Sequence, residues 1–182
     1  MVIEELDDKS RLNLRELIDY IRKGQCCAFV GAGLSKPAGY PLWEELLDKL
    51  KKVAENITGN KAIYNGTGFE PAEKADSYRK IIGEEKYYEF LIDTFDPTDN
   101  KQPCLQVHHD LIQMPFNAYV TTNYDCLLKR ALEEEGKNIS YDLYPFLDVT
   151  RLREKRLFHI HGIIDYDDLE KTKKSNILKL RR

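Results

Sequence analysis

Cysteine is sparse and its spacing is wrong for metal or disulfide frameworks. The four cysteines, Cys26, Cys27, Cys104 and Cys126, include no C-x-x-C pair, and a four-thiolate zinc site usually draws on two such pairs. Cys26 and Cys27 fall in an apolar run and read as packed thiols. No apolar run approaches the about 18 residues a membrane-spanning helix requires. Neither sign of charge dominates: 28 basic residues against 31 acidic ones leave −3, which gives no general attraction to nucleic acid or anionic membrane. The acidic N-terminus, MVIEELDDKSR, has no apolar segment of the secretory kind. Repeats and low-complexity segments are absent as well. The expectation is a soluble, cytoplasmic, globular protein without membrane or direct nucleic-acid partners.

What is present supports a folded core. Eleven Tyr and seven Phe among 182 residues argue against disorder, and a chain of this length is one compact domain or part of a larger protein. The stripe Leu14, Leu17, Ile18 and Ile21, with Asn13 and Glu16 as a capping box and Gly24 as a stop, predicts a helix over 13–23. Residues 26–30 (CCAFV) read as a strand buried on both faces. They run into Gly31-Ala32-Gly33, after which Pro41 opens a helical pattern through Trp43, Leu46, Leu47 and Leu50. A loop follows over 58–70, helices over 71–82 and 84–95, a connection over 96–103 and a helix over 104–114. A second strand is expected over 117–122, a helix over 125–135 with Gly136 in the stop position, and further strands over 140–144 and 156–161. The acidic-then-basic tail, 165–182, reads as a solvated helix. Strand, glycine turn and helix in this order predict a parallel α/β fold.

Three segments carry polar chemistry at strand ends. In Gly31-Ala32-Gly33-Leu34-Ser35, glycines allow backbone amides to approach a phosphate, although a purely structural turn explains them equally. Position 36 is Lys, which breaks the dinucleotide fingerprint, and no Gly-Lys-Ser/Thr follows to make a P-loop. Thr121-Thr122-Asn123-Tyr124-Asp125 lies where open α/β sheets bind ligands; Asn123 or Asp125 also suits a helix cap. In Phe158-His159-Ile160-His161-Gly162, alternation places both histidines on one face of a strand. No third ligand sits at a telling spacing, so no metal is expected, and an imidazole at a strand end suits acid–base work near neutral pH. His108-His109-Asp110 reads as surface or interhelical packing. A Ser35–His161 hydrolase lacks the G-x-S-x-G elbow, and a dehydrogenase lacks its fingerprint.

Taken in order, FVGAGLS, YPLW, HHDLIQMPFNAYVTTNYD and HIHG resemble the sirtuin family, in its divergent NAD-hydrolysing branch from bacterial anti-phage defence. The resemblance covers about residues 20–165. It implies a Rossmann-like parallel sheet with flanking helices, the sirtuin-like NAD-binding fold without a zinc module. It also implies an NAD glycohydrolase that releases nicotinamide and ADP-ribose and depletes NAD. By the same resemblance, Gly31, Ala32, Gly33 and Ser35 line the phosphates and ribose, and Thr122 and Asp125 shape the pocket. Asn123 binds the nicotinamide ribose or orients the attacking group, and His161 is the base. NAD is the substrate; a homo-oligomer or a partner defence protein is compatible. Protein-deacylating relatives carry a four-cysteine zinc module, and its absence counts against lysine deacylation. The family's later strand, which helps hold the adenosine half of NAD, has no counterpart before the chain ends at Arg182. The expectation is therefore a single domain over 1–182, incomplete at its C-terminus. A non-catalytic NAD- or ADP-ribose-binding or assembly module is the alternative.

Overall fold

The computed structural model describes residues 6–59, 70–95, 104–137, 140–143, 150 and 156–164. These fall into two compact units. One is built from the chain up to Gly31 and from Cys104 to Ile163, the other from Ala32 up to Pro103 together with Ile164.

The first unit contains the sheet. Strands β1 (Cys27–Val30), β2 (Ala118–Thr121), β3 (Tyr141–Leu143) and β4 (Arg156–His159) are arranged in the order β1-β2-β4-β3. Every neighbouring pair is parallel, and the register aligns Val30 with Thr121, Thr121 with His159, and His159 with Leu143. All four strands thus end at one level, and the loops leaving them share one edge. This is the Rossmann-type parallel α/β architecture predicted from the sequence. Helices α1 (Asp8–Arg22), α5 (Gln106–Gln113) and α6 (Leu127–Glu134) belong to the same unit. α6 buries Leu127, Leu128, Ala131 and Leu132, a narrow apolar face at helical spacing. The Tyr119 hydroxyl lies 3.1 Å from the Ile112 carbonyl and 3.3 Å from that of Met114, satisfying the end of α5.

The second unit is helical. A 3-10 turn (Lys36–Ala38) leads to α2 (Trp43–Thr58), α3 (Pro71–Ile82) and α4 (Glu84–Phe95). Leu47, Leu50, Ala54, Tyr78 and Ile82 form its core, with Tyr87 and Phe90 packed against it. Tyr40 stacks on Phe95 with ring centroids 5.8 Å apart. Both α3 and α4 match their predicted bounds, because Pro71 opens one and Gly83 separates the two. Trp43, expected on the buried stripe, is instead 39% exposed at the first turn of α2.

Several expectations need correction. α1 begins at Asp8, and its cap is Asp7, not Asn13. The Asp7 carboxylate accepts the Ser10 N–H at 2.9 Å and the Ser10 hydroxyl at 2.7 Å, so polar residues start the helix before its apolar stripe begins. β1 is buried on one face only: Ala28 and Val30 point inward while Cys27 and Phe29 point outward, with Phe29 71% exposed. An edge strand has one fewer neighbour to cover it. The strand with all four residues buried is β4, in the interior of the sheet. β4 also ends at His159, so the two histidines do not share a strand face. Residues 60–69 and 96–103, read as loops, and 165–182, read as a tail helix, lie outside the described residues.

Gly24 shows why a glycine ends α1. Its φ is +62°, and a Cβ there would stand 3.2 Å from the Asn117 side-chain oxygen. Gly24→Ala is expected to lower stability by about 1–2 kcal/mol, the cost of left-handed backbone for an L-residue, read from the urea midpoint.

Candidate functional site

The polar residues after β1, β2 and β4 meet at the carboxyl ends of adjacent strands. Thr121, the last residue of β2, is buried and donates its hydroxyl to the Val30 carbonyl at 3.0 Å. The same oxygen accepts the Asn123 N–H at 3.0 Å. Beside it, the Thr122 N–H reaches the Val30 carbonyl at 3.3 Å. The Asn123 side-chain amide donates to the Gly31 carbonyl at 3.2 Å. From the other side, His159 brings Nδ1 to 3.4 Å from the Asn123 carbonyl, and the Ile160 N–H donates to the Thr121 carbonyl at 3.0 Å. Asn123 is therefore held by the ends of all three strands, with only 7% of its surface exposed.

His161 sits in the turn after β4, exposed, followed by Gly162 at φ +92°. The Tyr124 ring stands nearly perpendicular to the imidazole, with centroids 6.4 Å apart, an edge-to-face contact that favours one ring orientation. Asp125 is 4% exposed, and its Oδ1 accepts the Leu127 N–H at 3.1 Å. The cap of α6 is Cys126, with no side-chain cap bond, so neither Asn123 nor Asp125 is the helix cap; Asp125 instead closes an Asx turn just ahead of the helix.

Gly31 and Gly33 behave unlike Gly24. Neither has a positive φ, and a Cβ on either would meet nothing within 4 Å among the described residues. Among the described residues neither backbone strain nor packing requires glycine there, and a bare backbone suits close approach by a ligand. In the helical unit, Ser35 is buried and precedes the 3-10 turn; its carbonyl accepts the Ala38 N–H at 3.1 Å. Lys36 is ion-paired with Glu45. Thus Gly31, Thr122, Asn123, Asp125 and His161 lie in the sheet unit, while Ala32, Gly33 and Ser35 belong to the helical one.

Sequence alone gives Thr121 and Tyr124 no role beyond their motif and pairs His159 with His161; the register instead makes His159 the strand partner of Thr121. His108, read as surface or interhelical packing, is fully buried.

Part of the chain is similar to known proteins. Residues 117–181, which span β2, the Asn123 loop and the histidine turn, match the family profile described as "SIR2-like domain". Over this stretch the chain is SIR2-like. It is 32% identical over 136 residues to the NAD(+) hydrolase ThsA of Acinetobacter baumannii (strain 532279), covering 72% of this chain and 25% of that protein. It is 24% identical over 171 residues to the NAD(+) hydrolase ThsA of Bacillus cereus (strain MSX-D12), covering 88% and 34%. A third relative, defense-associated sirtuin 2 of Bacillus subtilis, is 29% identical over 150 residues, covering 82% and 14%. The chain thus spans between 14% and 34% of the length of these relatives. No helix among the described residues is long and apolar enough to cross a membrane.

Burial sets the electrostatics beside the loop. It pushes the Cys104 thiol up to about 11, with Glu134 adding to the rise, and the protonated thiol donates to the Leu127 carbonyl at 3.3 Å. His108 accepts the Leu105 N–H at Nδ1, 3.1 Å away, so the neutral ring carries its proton on Nε2. That Nε2 is buried with no hydrogen-bond partner among the described residues. Burial lowers the His108 pKa, against an opposing pull from the Asp125 charge. The unfolded chain then takes up this proton first as pH falls, and stability drops from the ordinary histidine value of about 6.5 down to the lower folded one. His108→Asn keeps the acceptor and removes the titration. Its urea midpoint is expected to fall less steeply over that window than that of the unmodified chain.

Proposed function

We propose that this chain hydrolyses NAD at the nicotinamide–ribose bond, giving nicotinamide and ADP-ribose, as an NAD-depleting effector of bacterial anti-phage defence. The observation that carries the reading is the fixing of Asn123 by the ends of three parallel strands, beside bare glycine backbone. The relatives named NAD(+) hydrolase ThsA and defense-associated sirtuin 2 supply the reaction class and the setting.

The roles follow from chemistry and position. Cleavage builds oxocarbenium character on the ribose as neutral nicotinamide leaves with the bonding electron pair. Water then supplies its oxygen to the anomeric carbon and releases one proton. Asn123 presents an amide to the nicotinamide ribose and orients the attacking water. The exposed imidazole of His161, steered by Tyr124, takes a proton from a ribose hydroxyl, which stabilises the developing charge. Thr122 and Asp125 shape the pocket edge. Gly31 gives the phosphates close backbone approach, and the resemblance assigns Ala32, Gly33 and Ser35 to the phosphates and ribose.

Asn123→Ala and His161→Ala are each expected to reduce nicotinamide release by about 10²–10⁴-fold, the range for loss of a positioned acid–base or orienting group, with circular dichroism unchanged. Wild-type rates in either variant would remove that residue's role. Thermal stabilisation by NAD with no nicotinamide release would instead identify a binding module.

A further inference from the structure

Outside the strand-end loops, three donors of different chemistry converge between α5 and α6. Cys104 precedes α5, His109 lies on it, and Glu134 is the last residue of α6. One ligand atom from each lies within 4.8 Å of the other two. His109 faces two carboxylates, with Nε2 at 3.3 Å from Glu134 and Nδ1 at 3.2 Å from Glu135. The carboxylate on each ring nitrogen leaves two arrangements: an imidazolium donating to both, or an imidazole that donates Nδ1–H to Glu135 and shares a cation with Glu134 through Nε2.

We infer that Cys104, His109 and Glu134 form a binding site for a divalent transition metal of the zinc class. In this arrangement Glu135 accepts the Nδ1–H of His109, the carboxylate–histidine–metal relay that orients ligating imidazoles. The Nε2 lone pair is then directed at the metal, beside the Glu134 carboxylate and the Cys104 sulfur. A thiolate, an imidazole and a carboxylate suit zinc or cobalt better than magnesium or calcium, which take oxygen donors. Metal bonds of about 2.0–2.3 Å require the three atoms to draw closer. Glu134, whose side chain is 51% exposed, has the freedom to do so, while His109 at 21% is already held. Solvent fills the fourth position. Binding releases the thiol proton to water and gives up the Cys104 bond to the Leu127 carbonyl. The metal would clip the start of α5 to the end of α6, the helices that lead into and out of β2 and the Asn123 loop.

The test is a cobalt chloride titration of the purified chain after chelator treatment. The expected result is a near-ultraviolet thiolate-to-cobalt band that saturates at a single cobalt per chain and disappears on addition of zinc chloride. Cys104→Ser should abolish the band. Glu134→Gln, at a half-exposed position, should weaken cobalt binding by about tenfold or more, and Glu135→Gln by about tenfold, as loss of an outer-shell partner does. Absence of the band at micromolar cobalt overturns the site. So does a band that survives Cys104→Ser, or one whose titration Glu134→Gln leaves unmoved. Circular dichroism of each variant verifies that it is folded, and none of these readouts depends on NAD turnover.

Discussion

One buried hydroxyl organises the carboxyl edge of the sheet. Thr121 donates to the carbonyl that ends β1 and accepts the amide of Asn123, so a single oxygen fixes both the spacing of two strands and the course of the loop after them. Because it is buried, no water competes for either bond, and each is correspondingly expensive to leave unmade. Asn123 then needs few further constraints: its amide on the Gly31 carbonyl, and His159 against its own carbonyl. Valine fills nearly the same volume as threonine but supplies neither bond.

Parallel pairing makes this economy possible. With the last residues of the four strands level, polar residues far apart in sequence arrive at one edge without any long-range code beyond register. The histidines illustrate it. His159, still within the ladder, becomes a buried prop. His161, two residues on and past the strand end, is left exposed beside Tyr124.

The legible parts of the sequence were those fixed by local chemistry. Pro71 and Gly83 bounded α3 and α4, and the run NAYVTT followed by polar residues placed β2 and the loop carrying Asn123. Features that depend on sheet order were not legible. CCAFV reads as a doubly buried strand until β1 is known to be an edge, and Phe29 becomes exposed only then. The start of α1 was hidden because Asp7 and Ser10 cap it before any apolar repeat begins. At the site, Gly31, Asn123, Asp125 and His161 stood out by their position after strands. Thr121 did not, since a β-branched residue in a strand invites no question. Cys104, His109 and Glu134 carry no spacing signature at all; only the packing of α5 on α6 brings them together.

The two kinds of glycine in this chain answer to different pressures. Gly24 is kept by the backbone itself, since an alanine there is strained. Gly31 and Gly33 have no such guardian: an alanine at either meets nothing among the described residues, at unstrained backbone. By narrowing the unfolded ensemble it would even stabilise the fold by about 0.4–1 kcal/mol. Selection for folding alone would therefore erode these two glycines while preserving Gly24. On the proposed function, the retention or loss of these glycines in descendants of this gene becomes a historical marker of whether the nucleotide is still bound.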